Sequence, residues 1–131
     1  MKPGIEARVR QRAGFRCEYC QVPQFVSAPP FQIDHVIAKK HHGTDEFDNL
    51  ALSCFHCNVR KGPNIAGMDL DSGELTRLFN PRGDNWRSHF RWDGFHLVGL
   101  TAIGRTTIHV LGINEAQHVS AREALFDEGA F

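Results

Sequence analysis

The stretch CFHCN, residues 54–58, places four potential metal ligands within five positions. These ligands are Cys54, His56, Cys57 and Asn58. Thiolate and imidazole groups favour zinc and other transition metals, whereas an amide oxygen favours a harder cation such as magnesium or manganese. The stretch therefore raises the question whether its residues serve one metal site or two.

The four cysteines form two C-x-x-C pairs, Cys17 with Cys20 and Cys54 with Cys57. A C-x-x-C turn directs two sulfur atoms at one centre and leaves backbone amides free to hydrogen-bond them. Two such turns supply the four thiolates of a closed tetrahedral zinc site, so we expect one structural Zn²⁺ on these residues. A redox C-x-x-C usually comes singly, in a thioredoxin-like context that this sequence lacks.

The segment between the two pairs is longer than in an ordinary zinc ribbon and contains further polar residues. Asp34 and His35 are adjacent, Asn49 follows, and Asn58 comes directly after the last cysteine. The run IDHVIAKKHHGTDEFDNLALSCFHCNVRKG, with CEYC upstream, resembles the HNH endonuclease family in its zinc-knuckle form. The Asp-His pair, the G…D…N-L run, the C-x-x-C and the trailing N..KG match in order and spacing, over residues 15–62. The segment after the motif is also similar to that of many bacterial members.

The resemblance implies a ββα-metal fold, in which a β-hairpin and a helix hold one divalent cation for phosphodiester hydrolysis. His35 would then be the general base that activates water, because histidine titrates near neutrality. Asp34 and Asn58 would offer a carboxylate and an amide oxygen to the cation. Asn49 would orient His35 and brace the loop between the strands. The implied products carry 5′-phosphate and 3′-hydroxyl ends.

One position departs from the commonest form of the family, since Asn58 stands where histidine is more frequent. The motif is therefore an HNN-like variant. Imidazole suits zinc and nickel, whereas carboxylate and amide oxygens suit magnesium and manganese. We expect Mg²⁺ or Mn²⁺ as the catalytic ion, beside the structural Zn²⁺.

Asp34 and His35 are neighbours in the chain, and adjacent residues on a regular strand face opposite sides. They can address one phosphate together only from a strand end or a bulge. A structure that placed them on opposite faces, with one of them in the core, would argue against catalysis. As ligands of a catalytic ion, Asp34 and Asn58 are also expected to contribute little to stability.

Basic and histidine side chains near the second cysteine pair are candidates for contacting nucleic acid. Lys61 matches a basic position common in the family, and Arg60 precedes it. His56 lies between Cys54 and Cys57 and could replace a cysteine on zinc. Because four cysteines already fill a tetrahedron, we place His56 outside the zinc shell and near the DNA.

The formal net charge is zero but is unevenly spread along the chain. Residues 1–62 carry nine Lys and Arg against six Asp and Glu, and residues 63–131 carry six against nine. A basic first half fits a phosphate-rich partner, and double-stranded DNA is the partner that we expect. A double-strand cut by a single active site is easier from a dimer, so a homodimer is an open alternative.

Two functions of other classes would use only part of these features. A non-catalytic, zinc-stabilised nucleic-acid-binding module would keep the cysteines and the basic first half. It would have no use for Asp34, His35 and Asn58 together. A protein-interaction domain would show neither cleavage nor salt-dependent DNA binding. Metal-dependent hydrolysis of DNA by an HNH endonuclease is the leading hypothesis.

The elements that must position these residues can be located from periodicity and turn residues. PGIEARVRQRAGF predicts a helix that begins near Pro3 and ends at Gly14, with Arg8 and Arg12 on one face as solvated residues or DNA contacts. FQIDHVIA and LALSC predict the two strands of a hairpin. A second helix is expected from about Phe55 to the KGP stretch.

The second half of the chain predicts a mixture of short elements. ELTRLF and FHLVGLT favour strands, and NPRGDNWRSHF favours a turn with a short helix. Thr101 is a candidate N-cap for a helix over TAIGRTTIHVLGIN, although two glycines argue against it. SAREALF opens with the capping-box pair Ser120 and Glu123 and predicts a further helix. QVPQFVSAPP contains three prolines and predicts a loop.

The length of 131 residues fits one domain of the α+β class. We divide it into an N-terminal helix (1–16), a zinc-knuckle and ββα core (17–62) and a small structural α/β extension (63–131). No apolar run approaches the length of a membrane span, and the first residues lack a signal-peptide stretch. The expected location is therefore cytoplasmic, which disfavours structural disulfides.

Overall fold

The computed structural model describes residues 2–24, 30–129 and 131. In chain order the helices and strands are α1 (Ile5–Arg12), β1 (Gln32–His35), β2 (Leu50–Ser53), α2 (Phe55–Lys61), β3 (Ala66–Met68), β4 (Leu75–Arg77), α3 (Trp86–His89), β5 (Phe90–Asp93), β6 (His96–Gly99), α4 (Ala102–Val110) and α5 (Ala116–Asp127). Residues 25–29 of the loop predicted over residues 21–30 lie outside the described residues.

The strands form three separate antiparallel pairs, β1 with β2, β3 with β4, and β5 with β6. In the first pair Gln32 lies opposite Ser53 and His35 lies opposite Leu50. Two short 3₁₀ turns, Lys39–His41 and Phe47–Asn49, shape the connection between β1 and β2. The mixture of helices and small sheets agrees with the α+β prediction.

Helix α1 packs against the back of the β1–β2 hairpin. Its buried residues Ile5 and Val9 form a small hydrophobic cluster with Leu50 and Leu52 of β2. Arg8 and Arg12 on another face of α1 are exposed, and their guanidinium groups lie over the ring of Phe47 at 4.4 and 3.7 Å. Arg12 donates further to the carbonyl oxygens of Phe47 and Leu50. These arginines therefore attach the helix to the hairpin.

A larger core joins the cysteine-containing part of the chain to its second half. It contains all four cysteines and buried side chains from the C-terminal elements, among them Leu78, Phe79, Phe90, Leu97 and Leu111. The apolar burial of this half therefore depends on the segment that carries the cysteines. Of the helices in the described ranges, none is long and apolar enough to cross a membrane.

Helix α4 begins at the predicted cap Thr101, whose hydroxyl accepts from the backbone N–H of Gly104. Glycine is unfavourable inside a helix, yet here close packing requires it. A Cβ on Gly99 of β6 would lie 2.5 Å from the backbone nitrogen of Arg105, and one on Gly104 would overlap the carbonyl oxygen of His89. Gly104, one of the two glycines that argued against the helix, and Gly99 together allow the helix to lie directly on β6.

The sequence also led to one wrong element boundary and missed two strands. Helix α5 begins at Ala116 with Glu115 as N-cap, so Ser120 lies inside the helix and the predicted capping box is wrong. Strands β3 and β5 were not predicted. Both are short, and each gains its partner only through a hairpin with the strand that follows.

A buried ion pair ties the β3–β4 turn to α4. The carboxylate of Asp69 is fully buried and accepts from Nε and Nη2 of Arg105 at 3.2 and 2.9 Å and from Oγ of Ser72 at 2.9 Å. The hydrogen bonds from Arg105 hold the pKa of Asp69 well below its usual range. The ionised carboxylate therefore stabilises the folded state more than the unfolded state.

We predict that Asp69→Asn lowers the free energy of unfolding near pH 7 and that this deficit shrinks as the pH falls. A carboxyl whose pKa is lowered on folding contributes stability above its unfolded pKa of about 4 and loses it below. Denaturant unfolding of the wild type and of Asp69→Asn, from about pH 7 to about pH 3, measures the difference in their free energies of unfolding. Any release of metal at low pH is common to both proteins and cancels in this difference. Asp71→Asn, on an exposed carboxylate of the same turn, should have little effect. A deficit that is the same at every pH would contradict the prediction.

Candidate active site and cysteine cluster

The four cysteine sulfur atoms come together in the core, as predicted. All four Sγ atoms lie within 4.8 Å of one another, and those of Cys20 and Cys54 are 3.7 Å apart. Sulfur atoms around a zinc ion at 2.3 Å are expected about 3.8 Å apart, whereas a disulfide requires about 2 Å. The backbone N–H of Cys20 donates to Cys17 Sγ, and that of Cys57 donates to Cys54 Sγ. The cluster could therefore hold a zinc ion.

A buried arginine from α5 lies in the field of this cluster. Arg122 is fully buried and donates to the carbonyl oxygens of Phe95 and Ile113. Burial lowers the pKa of its guanidinium, and the charges of Cys20, Cys57 and Cys54 oppose that shift. Four thiolates on one divalent ion would carry an excess of two negative charges, and the positive charge of Arg122 would partly offset it.

His56 and Arg60 of α2 both contact residues of the C-terminal half, and of the two Arg60 remains exposed. His56 is outside the cysteine cluster: its Nε2 lies 2.8 Å from the carbonyl oxygen of Gly112, and its ring stacks on His118 at 4.0 Å. Arg60 donates to both carboxylate oxygens of Glu115 at 3.2 and 2.6 Å. Both side chains are engaged with protein, which does not support the expected DNA contacts.

Burial lowers the pKa of His118 to about 4, so the stacked pair does not carry two positive charges near neutrality.

Asp34, His35 and Asn58 line one surface cavity of about 350 Å³. His35 is the last residue of β1, which meets the expectation that the Asp-His pair sits at a strand end. Asn58 comes from the first turn of α2, whose N-cap is Cys54. Lys39 and Lys40 add positive charge to the cavity wall. Residues that are up to 24 positions apart in the chain thus share one opening.

Asp34 itself is largely buried, with only 5% of its surface exposed. Its Oδ2 accepts from the hydroxyl of Tyr19 at 2.6 Å and lies 3.1 Å from Nζ of Lys61. Burial raises the pKa of Asp34, and Lys61 and Tyr19 oppose the shift. Removal of one partner from a buried ion pair typically costs 3–5 kcal/mol. The expectation that Asp34 contributes little to stability is therefore wrong.

Lys61 does not lie on the surface. Its side chain is 2% exposed, and Nζ donates to the carbonyl oxygens of His35 and Val36 as well as to Asp34. This placement does not fit the expected contact with phosphate. Lys61 instead joins the end of α2 to the end of β1 and supplies the charge opposite Asp34.

His35 is held by a residue that sequence reasoning had not singled out. Its Nε2 lies 2.7 Å from Oδ1 of Asp45, which also lies 3.1 Å from Nζ of Lys39. Hydrogen bonds from His35 and then Lys39 lower the pKa of Asp45, so this carboxylate is ionised near neutrality and can only accept. Nε2 therefore carries the proton, and the lone pair of a neutral ring is on Nδ1.

Asn49 braces the loop between β1 and β2, as the resemblance implied. Its Oδ1 accepts from the backbone N–H of Ile37, and its Nδ2 donates to the carbonyl oxygens of Ile37 and Thr44. Within the described residues its side chain makes no hydrogen bond to His35. The backbone of Asn49 acts closer to the site, since its carbonyl oxygen accepts from the N–H of Val36.

The amide of Asn58 is engaged through its nitrogen only. Nδ2 donates to Oε1 of Gln32, and none of the described residues donates to its Oδ1. An amide oxygen with free lone pairs, in the lining of the same cavity as Asp34, forms with that carboxylate a donor set whose chemistry suits a hard divalent cation. These residues fit the ion that the motif implies.

Sequence reasoning missed the two side chains that hold the Asp-His pair. Asp45 stands inside the G…D…N-L run, so its presence in the motif was a usable signal. Tyr19 lies between the first two cysteines, and nothing in its local sequence indicated a contact with a residue 15 positions away. That contact depends on the packing of the first cysteine turn against β1.

Comparison with known proteins supports the interpretation of the central segment. Residues 17–64 match the family model described as HNH endonuclease. The chain is also similar to the Septu protein PtuB of Bacillus thuringiensis, with 24% identity over 116 residues, which are 87% of this chain and 42% of that protein. The chain thus spans less than half the length of this curated relative. No solved structure is a significant match.

We predict that Cys17→Ser abolishes metal binding by the cluster and cooperative folding together. Structural zinc supplies roughly 10 kcal/mol or more of folding free energy in small domains, and serine is a poor replacement for a thiolate. Zinc content by elemental analysis and thermal unfolding by circular dichroism measure the two effects.

Val22→Ala is the matched control, because Val22 packs in the same core but is not a ligand. It should lower the melting temperature while zinc content stays at one ion per chain. A Cys17→Ser protein that retains full zinc content and an unchanged transition would refute a structural metal on these cysteines.

Proposed function

We propose that this chain is a metal-dependent HNH endonuclease that hydrolyses phosphodiester bonds in DNA. The observation that carries the proposal is the shared cavity of Asp34, His35 and Asn58, within a segment that matches the HNH endonuclease family. The β1–β2 hairpin and α2 would form the ββα-metal unit. Zinc on the four cysteines would fix the start of α2 against the hairpin and take no part in the chemistry.

His35 is the proposed general base. Its side chain is 22% exposed, so water can reach the ring. The contact of Nε2 with Asp45 fixes the orientation of the ring. Because Asp45 accepts a hydrogen bond from the Nε2–H group of His35, the other ring nitrogen, Nδ1, is free to take a proton from the attacking water. A neighbouring carboxylate also stabilises the imidazolium that forms in this step.

Asp34 and Asn58 would hold the catalytic cation, with Mg²⁺ or Mn²⁺ favoured by their oxygen donors. When bound, such an ion neutralises charge on the phosphate and assists the departing 3′-oxygen. In its absence Lys61 offsets the charge of Asp34. Tyr19 holds the same carboxylate through its hydroxyl, which orients Asp34 whichever cation it faces.

The wall of the cavity suits a phosphodiester. Lys39 is 63% exposed in its side chain, and Lys40 lines the cavity beside it. Ammonium groups attract phosphate and lower the cost of bringing an anion next to Asp34. We therefore assign the DNA-backbone contact to this lysine pair in place of Lys61, Arg60 and His56.

A non-catalytic nucleic-acid-binding module is the second candidate. The observation that favours it is the contact of Asp34 with Lys61 and Tyr19, which leaves this carboxylate neutralised without a divalent ion. Such a module would bind DNA in a salt-dependent way and would cut nothing with any metal.

We predict that the wild-type protein nicks supercoiled plasmid with Mg²⁺ or Mn²⁺ and that His35→Ala lowers the rate by about 10²–10⁴-fold, the usual contribution of a general base. His35 is a better target than Asp34, because loss of Asp34 would also break a buried ion pair. Agarose gels of supercoiled and nicked DNA measure the rate, and thermal unfolding with zinc content shows that the variant is folded.

His41→Ala is the matched control, since His41 is an exposed histidine of the same loop and does not line the cavity. Its nicking rate should equal that of the wild type. Absence of nicking by the wild type in every divalent metal would favour the binding module. Rates in Ni²⁺ or Zn²⁺ that match those in Mg²⁺ would contradict the assignment of Asn58 as an oxygen ligand.

We predict that Asp45→Asn lowers the nicking rate by about 10–100-fold, the usual range for a residue that orients a group in a metal site. Asparagine retains the shape but loses the charge that holds the Nε2 proton and attracts Lys39. The single-turnover rate at saturating DNA measures the effect. Asp48→Asn, on an exposed carboxylate of the same loop, should leave the rate unchanged. Equal rates for Asp45→Asn and the wild type would remove Asp45 from the site.

A further inference from the structure

A second cavity, of about 400 Å³, combines aromatic and basic side chains. It is lined by Arg16, Gln21, Asn85, Trp86, Arg87, Trp92 and Phe131. Both tryptophans of the chain belong to this set. The volume lies in the range of small-ligand pockets, which begins at about 300 Å³.

The aromatic side of this cavity is held in place by the fold. The rings of Trp86 and Trp92 lie 5.9 Å apart at 40°, and Trp92 meets Phe131 edge to face at 5.6 Å. The indole N–H of Trp86 donates to the carbonyl oxygen of Tyr19 at 2.9 Å. An aromatic surface whose orientation is fixed in this way can stack on a planar ligand at little cost in side-chain entropy.

The polar side of the cavity favours an anion that also offers hydrogen-bonding edges. Arg16 and Arg87 are exposed guanidinium groups, and no acidic side chain occurs among the described lining residues. Arg16 is oriented by the carbonyl oxygen of Gln21, to which its Nη1 donates at 3.0 Å. The amide side chains of Gln21 and Asn85 add groups that can both donate and accept.

We propose that this cavity binds one unpaired nucleotide of a nucleic acid, with the base on the indole rings and the phosphate on the arginines. Aromatic stacking recognises bases only when they are outside a duplex, and arginine recognises the backbone beside them. An aliphatic ligand would use only the aromatic surface of the cavity, and an acidic peptide would use only its arginines. A nucleotide uses the aromatic surface, the arginines and the amide groups together. The proposal rests on the proposed nuclease function for its choice of nucleic acid as ligand.

Tyr19 connects this cavity to the candidate active site. Its carbonyl oxygen accepts from Trp86, and its hydroxyl donates to Asp34. A single residue thus contacts both the wall of the nucleotide cavity and the carboxylate proposed to hold the catalytic ion. An unpaired nucleotide held here would direct the enzyme to frayed, branched or single-stranded regions.

Intrinsic fluorescence tests the proposal directly, because both tryptophans line the cavity. His35→Ala protein in buffer without added divalent metal is titrated with a six-residue oligothymidylate, a six-residue oligouridylate and a blunt DNA duplex of equal strand length. We expect saturable quenching by the single strands and at least fivefold weaker binding of the duplex. The strand that binds more tightly, DNA or RNA, identifies the natural source of the nucleotide.

Two arginine variants separate this site from general electrostatic attraction. Arg87→Ala should weaken single-strand binding at least fivefold. Arg91→Ala, on an exposed arginine one position before Trp92 and outside the cavity, should change it less than twofold. Absence of quenching, equal binding of duplex and single strand, or equal losses in the two variants would each overturn the proposal. This experiment measures binding and not cleavage. If the wild type nicks plasmid while any of these results is found, the nucleotide site is refuted and the proposed nuclease function is not.

Discussion

The contact among four buried sulfur atoms is the constraint on which the rest of the structure depends. It joins two turns that are more than 30 residues apart, and the larger hydrophobic core is built around it. Cys54 is also the N-cap of α2, since its sulfur accepts from the backbone N–H of Cys57. The start and direction of α2 are therefore determined by the cluster, and Asn58 and Lys61, three residues apart on one face, are turned together toward β1.

The same constraint explains how a carboxylate can be buried beside the cavity. Tyr19 belongs to the first cysteine turn and Lys61 to the helix that begins at the second, and both meet Asp34. A buried charge is costly unless it is paired and hydrogen-bonded, and here each cysteine turn supplies one partner. Asp34 is consequently both a structural group and a candidate metal ligand. The cysteine cluster organises the candidate site, although no cysteine lines its cavity.

The second half of the chain closes the molecule around this centre. Arg122 brings positive charge to the thiolates, Glu115 pairs with Arg60, and Gly112 accepts from His56. These contacts attach α2 to the second half of the chain. The family match ends at residue 64, yet the aromatic cavity draws Trp86 and Trp92 from the part beyond it. In the proposed nucleotide site the extension would supply binding residues as well as support, beyond the structural role expected for it.

The sequence alone determined the cysteine pairs, the order of the hairpin and α2, and the candidate residues Asp34, His35, Asn49 and Asn58, because spacing along the chain and local turn preferences encode them. Only the tertiary structure decided which side chains contact these candidate residues. The burial of Asp34, the inward position of Lys61 and the contact of Asp45 with His35 depend on segments 10–27 residues apart meeting at defined distances. Strands β3 and β5, and the role of Gly104 in α4, could not be predicted for the same reason. Their stability comes from packing partners distant in sequence, which local propensity does not contain.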